Sequence, residues 1–100
     1  MSWLPIKYRD FYDVPRVFVV ESGDRYYLFD SVFDSEADEY STDYAVYRLS
    51  ANTGSRIDEI RDWRSLSSEG TPIGAVSVAS VIFDNTKRQF VDVGILERFK

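Results

Sequence analysis

Two β-rich runs, RVFVVE at 16–21 and RYYLFDSVF at 25–33, are separated only by Ser22-Gly23-Asp24, a pairing of strand-like runs around a turn that constrains what the chain can fold into. Gly23 can adopt positive φ without a Cβ clash, so the three residues read as the turn of a β-hairpin. Pro15 suits the start of the first strand, because proline cannot donate to a ladder from inside one. The segment before it, SWLPIKYRDFY, adds a candidate strand ahead of Asp13-Val14-Pro15.

Two further hairpins follow the same reasoning. One joins 44–50 (YAVYRLS) to 55–60 (SRIDEI) through Ala51-Asn52-Thr53-Gly54, the most specific turn signal in the chain, with Gly54 in the left-handed position that follows a type I turn. A rival reading makes 56–67 a helix capped by Ser55. Its apolar residues Ile57, Ile60, Trp63 and Leu66 recur every third position and spread over too wide an arc for a tight stripe. The other hairpin joins 73–83 to 88–95 through Asp84-Asn85-Thr86-Lys87. The stretch VSVASVIF at 76–83 is uncharged and free of proline, a hazard at an exposed edge, which places it centrally in the sheet. The small residues Ala75, Ser77 and Ala79 on one face of the 73–83 strand point to a close-packed neighbour there.

Six or seven strands in 100 residues predict a single domain, 1–100, of all-β class: a small antiparallel barrel or two-layer sandwich built from consecutive hairpins. The alternative is α+β with one short helix near 56–67. No repeat or low-complexity linker divides the chain.

The chain has neither histidine nor cysteine. Ser-His-Asp and Cys-His catalysis within one chain, thiolate metal sites and disulfides are therefore excluded. No GxGxxG or lysine-bearing phosphate loop occurs. The expectation is a non-enzymatic protein with no catalytic residues, cofactor or metal. The start, MSWLPIKYRD, lacks the features of an export signal, and the longest uncharged run, 70–83, is too short and polar to span a bilayer. A cytoplasmic location is expected.

Charge directs attention to the first half. The formal net charge is −5; residues 1–50 hold 5 basic and 10 acidic side chains against 7 of each in 51–100, together with all 7 tyrosines. Such a balance opposes nucleic acid and anionic membranes and favours a basic protein partner. Lys7 and Arg9 within KYRDFYD are offset by Asp10 and Asp13, which removes the electrostatic half of a nucleic-acid argument.

The excess concentrates in DSVFDSEADEYSTD, 30–43, which holds six carboxylates and no basic residue. Asp34, Glu36 and Asp38 match the first three ligand positions of a calcium loop, but Glu39 then occupies the glycine position and Ala45 the final bidentate one. The stretch reads instead as a recognition surface, with Asp34, Glu36, Asp38, Glu39, Tyr40, Asp43 and Tyr44 as the partner-binding residues.

A second reading is a small-ligand-binding barrel or carboxylate-dependent hydrolase. Its cavity would be lined by Tyr26, Tyr27, Phe29, Phe33, Tyr44 and Tyr47, with Asp30, which shares a strand face with Tyr26 and Leu28, as the wall carboxylate. Arg56, Arg61 and Arg64 surround Trp63, as interface anchors or as partners for Asp58, Glu59 and Asp62. A third reading is homo-oligomerisation through an edge strand.

Overall fold

The computed structural model describes residues 2–99, and of Arg64 the backbone alone. Val17, Phe18, Val19 and Val20 are all buried, so the strand that carries them must be covered on both faces. That strand, β2 (Val14–Ser22), lies inside a six-stranded antiparallel sheet with β1 (Trp3–Tyr12), β3 (Arg25–Asp30), β6 (Asp43–Leu49), β7 (Thr71–Ser77) and β8 (Phe90–Asp92). The order across the sheet is β7-β6-β3-β2-β1-β8. Two short strands, β4 (Phe33–Asp34) and β5 (Glu39–Tyr40), form a separate hairpin between β3 and β6. The expected mainly β architecture is thus present. Its small helical content consists of α1 (Ala51–Ser55), α2 (Leu66–Glu69) and 3-10 turns.

Alternation along the strands splits the core in two. On one face Phe18, Val20, Tyr27, Phe29, Tyr44, Val46 and Val76 meet Val81, Val91, Ile95 and Leu96 from the C-terminal segment. Phe18 and Phe29 stack with centroids 4.7 Å apart, and Tyr44 and Phe83 meet Phe18 edge-on. Such aromatic pairs contribute about 0.5–1.5 kcal/mol each beyond burial. On the other face Val17, Val19, Leu28 and Leu49 are covered by Ile57, Trp63 and Leu66 from the β6–β7 connection. Lys7 pairs with Asp58 at 2.7 Å and the Arg9 guanidinium lies 4.3 Å from the Trp63 ring centre, tying β1 to the same layer.

The first hairpin forms as expected, with Ser22 opposite Arg25 and Gly23 at φ 64°. The hairpin expected at 44–60 does not. Ser50 Oγ accepts from Thr53 N at 3.1 Å and starts α1, so 51–55 is helical and β6 pairs with β3 and β7 instead. Gly54 is required for proximity rather than for a left-handed conformation, because a Cβ there would overlap the Tyr26 ring. Residues 55–60 form no strand, and the rival long helix is broken into the turns Ile57–Glu59, Trp63–Ser65 and α2. Trp63 stitches these turns together, its Nε1 donating to Ile60 O at 3.0 Å and Ile57 O at 3.3 Å. It is buried and cannot anchor an interface; its cationic neighbour is Arg9, and the Arg64 side chain lies outside the described residues.

The stretch at 76–83 is not central. Ser77 Oγ accepts from Ala79 N at 3.3 Å and opens a 3-10 turn, Val78–Ser80, that carries the chain out of the sheet. β7 is therefore an edge strand, with Ala75 and Ala79 exposed rather than packed. Pro72 and a register shift opposite Val46/Tyr47 interrupt that edge, both features that blunt strand addition. The last hairpin survives in reduced form: Phe83 bridges Val91, and the expected second strand contracts to β8 before a 3-10 segment, Val93–Phe99.

Candidate interaction surface

β1 and β2 are joined at Asp13 alone, since Tyr12 pairs directly with Val14 and Asp13 adopts φ 65°. Aspartate tolerates this left-handed conformation better than most residues. The turn lies at the end of the sheet where β3 stops and β6 starts, so it meets the β4–β5 hairpin. Tyr12 stacks on Tyr40 at 5.8 Å, and Tyr40 meets Phe33, its partner in the β4–β5 register, edge-on at 5.0 Å.

Arg16 holds this arrangement from below. Its Nε donates to Tyr12 O at 2.9 Å, and its guanidinium carbon lies 4.8 Å from the Tyr40 ring centre. Nη1 reaches Ser31 Oγ at 3.4 Å, while that buried hydroxyl donates to Ser41 O at 2.8 Å. The backbone bonds Ser31 N to Arg16 O and Ser41 N to Val32 O close the base of the hairpin. A long cationic side chain is thereby held between an aromatic ring, a backbone carbonyl and a hydroxyl.

The hairpin tip carries the carboxylates. Asp34 accepts from Glu36 N at 3.0 Å and Ala37 N at 3.3 Å, a local turn that consumes hydrogen-bonding capacity of its carboxylate. Asp38 takes φ 55° to complete the reversal. The register sets Asp34 directly opposite Glu39, two like charges in a cross-strand pair, an arrangement that destabilises a sheet. Among the described residues no set of three carboxylates is placed to hold a metal ion.

Of the residues expected from sequence, Asp34, Glu36, Asp38 and Glu39 come together on the exposed tip and Tyr40 sits half-buried at its base. Asp43 is exposed but belongs to the start of β6, opposite Ser77 on β7. Tyr44 must be corrected. It is fully buried, and its hydroxyl donates to Pro15 O at 2.6 Å, so it supplies core and no surface. Burial pushes its hydroxyl above the usual tyrosine range, with the Arg16 charge acting in the opposite direction. The acidic-tract reading left out Tyr12, Arg16, Val32 and Phe33, of which Phe33 entered only as a cavity wall. Tyr12, Val32 and Phe33 are 61%, 57% and 41% exposed.

Two adjoining concavities result, sharing Arg16, Phe33 and Tyr40. The larger, about 580 Å³, adds Tyr12, Asp38 and Glu39. The smaller, about 220 Å³, runs toward Asp10, Asp30 and Ser31. Of the aromatics considered as walls of an internal cavity, Tyr27, Phe29 and Tyr44 are packed solidly into the core. Asp30 is half-buried on the rim of the smaller concavity. No described helix is long and apolar enough to cross a membrane. Comparison with protein-family models, with curated proteins and with solved structures yields no match.

Proposed function

We propose that this chain is a non-enzymatic protein-interaction domain that docks a basic partner on the end of the sheet formed by the β1–β2 turn and the β4–β5 hairpin. One observation carries the reading: Asp34 and Glu39 face each other in register on an exposed hairpin whose base is the exposed apolar group Tyr12, Val32 and Phe33. Like charges set opposite each other cost stability in the free protein, and a cationic partner relieves that cost on binding. The apolar group supplies contact area that water leaves on association. The net charge of −5 favours a basic protein over nucleic acid or an anionic membrane. A chain without cysteine fits a reducing compartment, and we place the protein in the cytoplasm.

The test is co-purification of the native protein, followed by kinetics on the recovered partner. Association is expected to slow as salt rises, because the Debye length shrinks from about 10 Å at 0.1 M to about 3 Å at 1 M. Reversing the charge at Asp34, Glu36, Asp38 and Glu39 together should abolish it, whereas reversing Glu59 and Glu69 should not. Association left unchanged by the fourfold reversal overturns the assignment.

A further inference from the structure

We propose that the larger concavity receives an arginine side chain of the partner, stacked on Tyr12 and Phe33 with its guanidinium held by Asp38 and Glu39. The proposal rests on the basic-partner reading above and specifies which cation is bound and how. The concavity, about 580 Å³, is lined by Tyr12, Phe33 and Tyr40, by the carboxylates of Asp38 and Glu39, and by Arg16, whose own charge is engaged with the Tyr40 ring and the Tyr12 carbonyl. Rings beside carboxylates are the combination that recognises a planar cation. Its volume falls within the range of about 300–1,000 Å³ usual for ligand clefts. Arg16 shows that these rings accept a guanidinium: its guanidinium carbon lies over the Tyr40 ring, 4.8 Å from the centre. The outer rings remain open, with Tyr12 61% and Phe33 41% exposed. Arginine is favoured over lysine because its planar, weakly hydrated head can stack on a ring and donate in a fork to carboxylates at once. An ammonium is a strongly hydrated point charge.

The experiment titrates the full-length protein, observed by NMR, with two ten-residue probes, alternating arginine–glycine and alternating lysine–glycine. The arginine probe should bind more tightly and shift Tyr12, Phe33 and Tyr40. Tyr12→Leu, at a position exposed enough to keep the fold, should weaken the arginine probe about three- to tenfold and leave the lysine probe nearly unchanged. Asp38→Asn with Glu39→Gln should weaken both. Equal affinity for the two probes, insensitive to Tyr12→Leu, overturns guanidinium stacking and leaves the general basic-partner reading standing. Binding of neither probe overturns that reading as well.

Discussion

Removing one oxygen atom from the core, Tyr44→Phe, tests the central claim that Tyr44 is a structural residue. The ring stays, with its edge-on contacts to Phe18 and Phe29 at 5.3 and 6.0 Å, so packing is conserved. What goes is the 2.6 Å bond to the Pro15 carbonyl, which lies in a buried residue. A hydrogen bond of this kind contributes about 0.5–1.5 kcal/mol net, and an acceptor left buried without a partner costs about 1–3 kcal/mol. A loss near 2 kcal/mol is expected, or a fall in Tm of roughly 8–16 °C at about 4–8 °C per kcal/mol for a domain of this size. Urea unfolding monitored by tryptophan fluorescence measures it. A loss below about 0.5 kcal/mol would mean that the Pro15 carbonyl finds other partners, and the structural assignment of Tyr44 would fail.

Alkali supplies an independent check on the same residue. Burial raises the Tyr44 hydroxyl above its ordinary value of 10.0. The folded state then holds the proton more tightly than the unfolded chain, so this contribution is complete below pH 10 and declines as pH rises beyond it. Between pH 10 and 11 the parent protein should lose about 1 kcal/mol through Tyr44 that the phenylalanine variant does not lose. The stability gap between the two must narrow over that interval. A constant gap contradicts the raised value.

Gly54→Ala should destabilise the protein by about 1–3 kcal/mol in chemical denaturation, although alanine favours helices, because the added methyl overlaps the Tyr26 ring; a neutral result refutes that contact. Pro72→Val should promote self-association, seen as a concentration-dependent shift in size-exclusion chromatography relative to the parent, by removing a residue that interrupts the β7 edge; elution identical to the parent's would assign the protection to the register shift alone. Asp84 accepts from Thr86 Oγ1 at 2.6 Å and from the backbone N–H groups of Thr86, Gln89 and Phe90, which hold its carboxyl down at about 2. Its stabilising effect is present above about 3.8 and is lost as pH falls toward 2, so an NMR titration should place its midpoint near 2, and a midpoint near 4 would refute the turn.

The parts of the fold legible in sequence are those set by adjacent residues. Alternation and Gly23 locate the β2–β3 hairpin, and Pro15 marks where β2 begins, because both signals act within a few residues of the turn they specify. The misread segments share a different cause. Ser50 and Ser77 each turn a hydroxyl back onto a backbone N–H two or three residues ahead, and that local bond converts an expected turn or strand into a helical one. Once 51–55 is helical, the 51–70 connection lies across one sheet face and leaves β7 to pair with β6. Ile57, Trp63 and Leu66 then become the cover for Val17, Val19 and Leu28. The uninterrupted apolar run Val17–Val20 already demanded cover on both faces, a requirement that successive hairpins alone do not meet.

The candidate surface divides along the same line. Its carboxylates, Asp34, Glu36, Asp38 and Glu39, lie within six residues of one another, so their clustering on the β4–β5 tip follows from the charge pattern at 34–39. Its aromatic half does not, since Tyr12 and Tyr40 are brought together by two turns that close at the same end of the sheet. The exchange of Tyr44 for Tyr12 shows why. Tyr44 lies next to the acidic tract but shares a strand face with Val46, and period-two alternation sends both into the core. Tyr12 lies in a mixed-charge segment far from that tract, yet the tight reversal at Asp13 leaves its ring beside the acidic hairpin. Proximity in sequence points to a tyrosine that is buried, whereas strand parity combined with turn position points to one that is exposed. A surface assigned from composition therefore has to be tested against face alternation before its residues are chosen for mutation.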